Sequence, residues 1–234
     1  MINKNNFLKN FSSNSYKFNK NLNKTKKIFT IFKSDLKNSK IPLLNSYEKN
    51  YKFDFSVEKI KNFSKYKNII VIGMGGSILG TKSIYWFFKK KIKKNVFFFD
   101  NLDPDLHLQF SKIKNIKSSC FIIVSKSGST METITNFGII FSKFPTKKKI
   151  IFITEIKDSA LINIASKLKA DIIEHKNFIS GRYSLFSEVG MFPAKLMGLK
   201  IDKFRNLKKL INNKNFISTL INNVATIYTL NTVG

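Results

Sequence analysis

Short, continuous apolar runs alternate with longer amphipathic stretches through the middle of this chain. That alternation limits what the chain can fold into. The runs fall at residues 68–72, 96–99, 119–124, 149–154 and 170–173, and are built largely from Ile, Val and Phe. Strands apolar on both faces must be covered on both sides, and helical connections between them make them parallel. Helices are expected at residues 77–90, from Asp103-Pro104 onward, after the third strand through Phe141, and at 159–168. In the second of these Asp103 is read as N-cap and Pro104 as first helical residue. The fold class is therefore α/β, a doubly wound, mostly parallel sheet. Ligands of such sheets sit beyond the carboxyl ends of the strands, so the loops after the first and third strands carry the functional interest.

The flanks differ. Residues 1–50 are rich in Asn, Lys and Ser, with Leu22, Ile28, Ile31, Phe32 and Leu36 spaced as a helical stripe that Pro42 is expected to end. They read as a helical N-terminal extension to a central domain at 51–180. After Gly181 the pattern is helical again, at 183–197, 202–212 and 216–230. Residues 181–234 thus read as a linker and the opening of a second, incomplete domain.

Forty-two Lys and Arg against 14 Asp and Glu give a net charge of +28. The lysines are scattered through every segment, and Arg182 and Arg205 are the two arginines, so specific nucleic-acid readout is not expected. A coding bias toward A and T accounts for the excess of Lys, Asn, Ile and Phe. The single cysteine, Cys120, excludes a disulfide framework and a thiolate zinc site. No apolar run approaches the roughly 18 residues of a membrane span. The start, Met1-Ile2-Asn3-Lys4-Asn5-Asn6, lacks the apolar core of a secretory signal. A cytoplasmic protein without a membrane partner is expected.

Three motifs carry chemistry. Gly73-Met74-Gly75-Gly76-Ser77 follows the first strand and opens a helix, where glycines allow close backbone approach to a ligand. It lacks the third glycine of the dinucleotide fingerprint, since position 78 is Ile78, although Asp100 stands where a ribose partner would. A tight strand-to-helix turn would explain the glycines equally well. Ser125-Lys126-Ser127-Gly128-Ser129-Thr130 follows the third strand and packs four hydroxyls, an ammonium and a glycine into one loop. A phosphate monoester needs several donors at once, which hydroxyls and helix-end amides supply. Ser129 and Glu132 also read as a capping box, which leaves Ser125, Lys126 and Ser127 unexplained. The third motif, Gly181-Arg182-Tyr183-Ser184-Leu185-Phe186-Ser187, sets a planar cation beside a glycine. Such a group suits a developing oxyanion, or an ordinary turn.

Taken together, in this order and context, the three motifs resemble the glucose-6-phosphate isomerase family. The hallmarks are a Gly-Gly-Ser turn, a Ser-Lys-Ser/Thr loop running into Thr-x-Glu-Thr, and a Gly-Arg-Tyr/Phe-Ser segment. Here they stand as Gly75-Gly76-Ser77, residues 125–133 and residues 181–187. The resemblance implies a sugar-isomerase domain binding a hexose 6-phosphate, in a protein that interconverts glucose 6-phosphate and fructose 6-phosphate through an enediolate. Ser125, Lys126, Ser127 and Thr130 would hold the phosphate with the backbone of Gly128 and Ser129. Gly76 and Ser77 would face the sugar, and Arg182 would stabilise the enediolate. No metal or organic cofactor is implied, and the full-length protein would be a homodimer. The family's base is a glutamate of the second domain, in a Glu-Ser-x-Gly-Lys type segment that does not occur here. His107 and His175 precede Arg182 and match none of the family's later catalytic positions. The chain is therefore expected to be the front part of a longer isomerase, with a noncatalytic phosphosugar-binding module as the alternative. Glu132, Glu155, Glu174 and Glu188 have no motif that marks them as substitute bases.

Overall fold

The computed structural model of the chain describes residues 16–145, 149–205 and 210–230. These form two compact units, one spanning Asn50–Arg205 and the other bringing the described residues before Asn50 together with those after Arg205. Among the described residues, no helix is long and apolar enough to cross a membrane.

In the second-named unit, α1 (Tyr16–Lys37) is followed by the short α2 (Pro42–Asn45). The apolar stripe of α1 is not its buried face: Ile28, Ile31 and Phe32 are exposed, while Asn21 is buried. The reason lies in the partner helix near the C-terminus, which buries Ala225, Thr226 and Thr229, small or polar groups. Asn21 Nδ2 accordingly donates to Thr229 Oγ1 at 3.0 Å. Pro42 does not end α1 either. The helix stops at Lys37, Ser39 takes a left-handed φ of 53°, and Pro42 opens α2.

The larger unit begins with α3 (Val57–Ser64), capped by Ser56, whose hydroxyl accepts from Lys59 N–H. It continues β1 (Asn68–Gly73), α4 (Gly76–Phe88), β2 (Asn95–Phe99), α5 (Leu106–Ser111), β3 (Ser119–Val124) and α6 (Met131–Lys143). Then follow β4 (Ile150–Thr154), α7 (Ala160–Leu168), β5 (Asp171–Glu174), a 3-10 segment Gly181–Phe186 and α8 (Glu188–Leu196). A 3-10 turn at Ile201–Phe204 precedes α9 (Lys214–Leu230), which belongs to the other unit. Three helix boundaries depart from the expected ones. Asp103 does not cap α5: its carboxylate accepts from Asp105 N–H in a preceding turn, and the helix starts at Leu106. The helix expected over 183–197 is split at Ser187, which caps α8. The one expected over 202–212 starts as the 3-10 turn and is helical at Leu210 and Ile211, while its residues 206–209 lie outside the described residues.

All five strands are parallel, in the order β2-β1-β3-β4-β5. The three inner strands β1, β3 and β4 are buried along their whole length, as their Ile, Val and Phe content requires, whereas the edge strands β2 and β5 leave Asn95 and Asp171 exposed. Ile69, Val71, Ile122, Val124, Ile151 and Ile153 meet Phe63 of α3, Ile78 of α4, and Val189 and Phe192 of α8. Their neighbours Ile70, Ile72, Phe121, Ile123 and Phe152 point the other way, onto Leu106 and Phe110 of α5, Phe137 and Ile140 of α6, and Leu161 of α7. Burying each such side chain contributes about 1.5–3 kcal/mol relative to exposure. Winding reverses between β1 and β3, which are neighbours with Gly73 paired to Val124. That reversal is the switch point at which such sheets bind ligands, and it sets the first and second motif loops side by side.

Cys120 of β3 is fully buried, and burial pushes its thiol pKa up to about 12. The folded chain should therefore resist iodoacetamide at pH 8, and alkylation should track unfolding by urea. Rapid stoichiometric labelling of the native chain would contradict this burial.

Candidate functional site

The site starts from two strand-to-helix turns. In the first, Gly73 must lack a side chain, because a Cβ would stand 2.9 Å from the Val124 carbonyl oxygen of the neighbouring strand. Gly75 takes φ 51°, ψ −122° as the N-cap of α4 and makes no side-chain cap. Gly76 then lies against the third motif. A Cβ there would meet Gly181 C at 2.4 Å, Gly181 O at 2.6 Å and Arg182 N at 2.7 Å. Ser184 Oγ ties the two together, 3.2 Å from Gly76 O and 2.8 Å from Gly181 O, so its proton serves two carbonyls. Ser77 is half-buried in the first turn of α4, its N–H donating to Met74 O.

The second turn is the Ser125–Thr130 loop. Ser125 is buried, and its hydroxyl lies 2.9 Å from that of Thr130, the N-cap of α6. Thr130 makes no side-chain cap, so the first amides of α6 are free of one. The capping box expected from Ser129 and Glu132 is not formed: the helix begins one residue later than that reading requires. Ser129 N–H instead donates to Ser127 Oγ at 3.2 Å. Gly128 sits at φ +70°, a left-handed geometry, and a Cβ on it would stand 2.2 Å from Ser159 Oγ. The loop thus presents Ser125, Ser127, Ser129 and Thr130 over an uncapped helix N-terminus, an arrangement suited to an anion.

Lys126, partly exposed, lies on one side of this loop. Its Nζ donates to Asn177 O at 2.7 Å and lies 3.5 Å from Glu155 Oε1. Lys157 pairs with the other Glu155 oxygen at 2.5 Å. These cations, Lys157 first, hold the Glu155 carboxyl below its ordinary pKa. Arg182 is exposed, and no ion pair joins it to a carboxylate among the described residues. The structure therefore gathers Gly76, Ser77, Arg182 and the Ser125–Thr130 loop at the carboxyl ends of β1 and β3.

The remaining acids and histidines have other surroundings. Glu188 is buried, and both its oxygens lie 3.0 Å from Tyr51 OH, while Asp54 N–H donates to Oε1 at 3.2 Å. Burial raises its pKa. Glu174 is paired with Lys176, Glu132 is exposed on α6, and Asp100 pairs with Lys82. His107 is exposed on α5. His175 is buried behind the loop, with Nδ1 3.2 Å from Lys176 O and burial lowering its pKa. Sequence reasoning passed over Ser159, Asn177 and Ser184 as contributors. Ser184 stood inside a recognised motif, whereas Asn177 acts through its carbonyl and carries no side-chain signal.

The phosphoglucose isomerase family model matches residues 48–232. The chain belongs to the phosphoglucose isomerase family. It is 35% identical over 182 residues to a glucose-6-phosphate isomerase of Methanocaldococcus jannaschii, covering 74% of this chain and 45% of that relative. A Borreliella burgdorferi glucose-6-phosphate isomerase is 37% identical over 145 residues, 57% of this chain and 27% of its own length. The chain thus spans less than half the length of these relatives. Among solved structures, a glucose-6-phosphate isomerase of Chlamydia trachomatis matches with a TM-score of 0.50 at 25% identity, over 57% of this chain and 27% of the other. A hypothetical protein of Thermus thermophilus shares the fold at TM-score 0.64 and 18% identity, over 86% of this chain and 51% of that one.

Proposed function

We propose that the chain supplies the phosphate-binding half of an aldose–ketose isomerase that interconverts glucose 6-phosphate and fructose 6-phosphate. The observation that carries this reading is the hydroxyl-lined loop over the uncapped N-terminus of α6, set at the switch point beside Gly76 and Arg182. A phosphate dianion accepts from the Ser125, Ser127 and Thr130 hydroxyls and from the first amides of α6, which no side chain caps. Gly76 and Ser77 then face the sugar. Removing the C2 proton builds negative charge on the C1 and C2 oxygens, and the exposed Arg182 guanidinium stabilises that enediolate. The step balances with one base that takes the proton from C2 and returns it to C1.

Three of the four candidate glutamates are engaged elsewhere: Glu188 is buried in a hydrogen-bonded cluster, and Glu155 and Glu174 are ion-paired, while Glu132 is exposed on the first turn of the phosphate-loop helix. That observation favours a base on a further segment of the same protein. It also keeps a second reading, a noncatalytic phosphosugar-binding module. The resemblance carries with it a cytoplasmic setting and a homodimer for the full-length protein.

Ser127→Ala combined with Thr130→Val should weaken hexose 6-phosphate binding about 10- to 100-fold by calorimetry, since hydrogen bonds to charged groups contribute about 1.5–3 kcal/mol. Unchanged affinity would remove the loop from the site. Isomerase activity in the full-length protein separates enzyme from binding module.

A further inference from the structure

We propose that Lys126 is a positioning residue that braces the phosphate loop to the segment carrying Arg182, rather than a direct ligand of the phosphate. The inference rests on the functional reading above and deepens it.

The ammonium of Lys126 already has oxygen partners. It donates to Asn177 O at 2.7 Å, 51 residues away, and stands 3.5 Å from Glu155 Oε1. The Lys126 main chain is fixed as well, because its carbonyl accepts from Glu155 N–H at 3.1 Å and from Thr154 Oγ1 at 3.4 Å. Both ends of this residue therefore bind the carboxyl ends of β4 and β5, beside the loop rather than over it.

Asn177 lies five positions before Arg182. The intervening segment is short and pinned: Ile179 is fully buried, with its N–H donating to Lys176 O at 3.1 Å, and Tyr183 N–H donates to Ser180 O at 2.9 Å. Its far end is closed by the contact of Gly181 with Gly76 and by Ser184. Lys126 thus fastens the near end of the segment whose far end presents the guanidinium. The phosphate end and the oxyanion end of the site are set at a fixed separation by one side chain. Glu155 orients the ammonium and is itself held from the other side by Lys157.

A test must separate bracing from charge. Lys126→Met with Glu155→Gln removes one positive and one negative group together, so the local charge is conserved. Two probes are used, inorganic phosphate and 6-phosphogluconate, whose carboxylate stands at the C1 end where Arg182 acts. In the double variant, inorganic phosphate affinity should stay within about threefold of the parent, while 6-phosphogluconate affinity falls about tenfold or more. In an Arg182→Ala background the same double substitution should have no further effect on 6-phosphogluconate, since the group it positions is gone. Amide hydrogen exchange over residues 177–183 should speed up. A tenfold loss of inorganic phosphate affinity with unchanged exchange, or effects that add to those of Arg182→Ala, would overturn the brace. If the parent chain binds neither probe, the functional reading falls, and the exchange rates alone then decide whether Lys126 fastens the segment.

Discussion

Gly76→Ala should abolish tight hexose 6-phosphate binding while leaving the chain folded. The added methyl would fall 2.4–2.7 Å from Gly181 C and O and Arg182 N, all backbone atoms that cannot swing aside as a side-chain tip can. Relief requires the Gly181–Phe186 segment to move off α4, which carries Arg182 away from the sugar and breaks the shared hydrogen bond of Ser184. Overpacking of this kind costs about 1–3 kcal/mol, so the melting temperature drops by several degrees. Affinity should drop by more than tenfold, because displacements near 1 Å at a positioned group carry penalties of that size or larger. Gly138→Ala is the control. That glycine is exposed in α6 with nothing within 4 Å of a built Cβ, and its replacement should raise stability by about 0.5–1 kcal/mol without touching binding. Calorimetry and thermal melts on the pair decide the matter. Parental affinity in Gly76→Ala would mean that the close approach does not position the site.

The second large effect is expected at Glu188, the first residue of α8. Truncation to alanine strands the Tyr51 hydroxyl and the Asp54 amide and empties a buried space. The expected cost is about 2–4 kcal/mol, the range for buried partners left unpaired. Arg205 depends on the same corner: its guanidinium donates to Tyr51 O and Phe186 O and stacks 4.0 Å from the Phe53 ring centre. Glu188→Gln keeps the volume and an acceptor and should cost less. The two should also differ in pH dependence. Burial raises the Glu188 pKa above its ordinary 4.5, so the folded state binds this proton more tightly than the unfolded state. Its contribution to stability is therefore full below pH 4.5 and is lost as pH rises through the raised value. The stability advantage of the parent over Glu188→Gln, taken from urea midpoints, should shrink from pH 4.5 to pH 7. An advantage that grows with pH would mean that the carboxylate is stabilised as a charge by Lys176 and Arg205.

Much of this protein follows from local pattern. Runs of Ile, Val and Phe flanked by helical stretches read as strands of a covered parallel sheet, so β1 to β5 appear within a residue or two of where the pattern puts them. Gly75, Gly76 and the hydroxyls from Ser125 to Thr130 were legible because tight turns and anion sites need those residue types immediately after a strand. Helix starts were less so. Asp103 and Ser129 both had the composition of caps, but Asp103 accepts from a turn amide instead, and α6 takes Thr130 as its N-cap, which leaves Ser129 outside the helix start.

What the tertiary structure alone decided is which distant groups meet. Ser184 reaches Gly76 across 108 residues, Tyr51 meets Glu188 across 137, and Lys126 finds a backbone carbonyl 51 residues on. Strand order lies behind the placement of the loops: only the reversal between β1 and β3 sets the two motif loops together. The apolar stripe of α1 makes the same point in reverse, since periodicity announced a buried face and packing chose Asn21. Periodicity and turn chemistry act over a few residues and can be read along the chain. Burial and pairing depend on what the rest of the fold brings alongside, and no local pattern contains that.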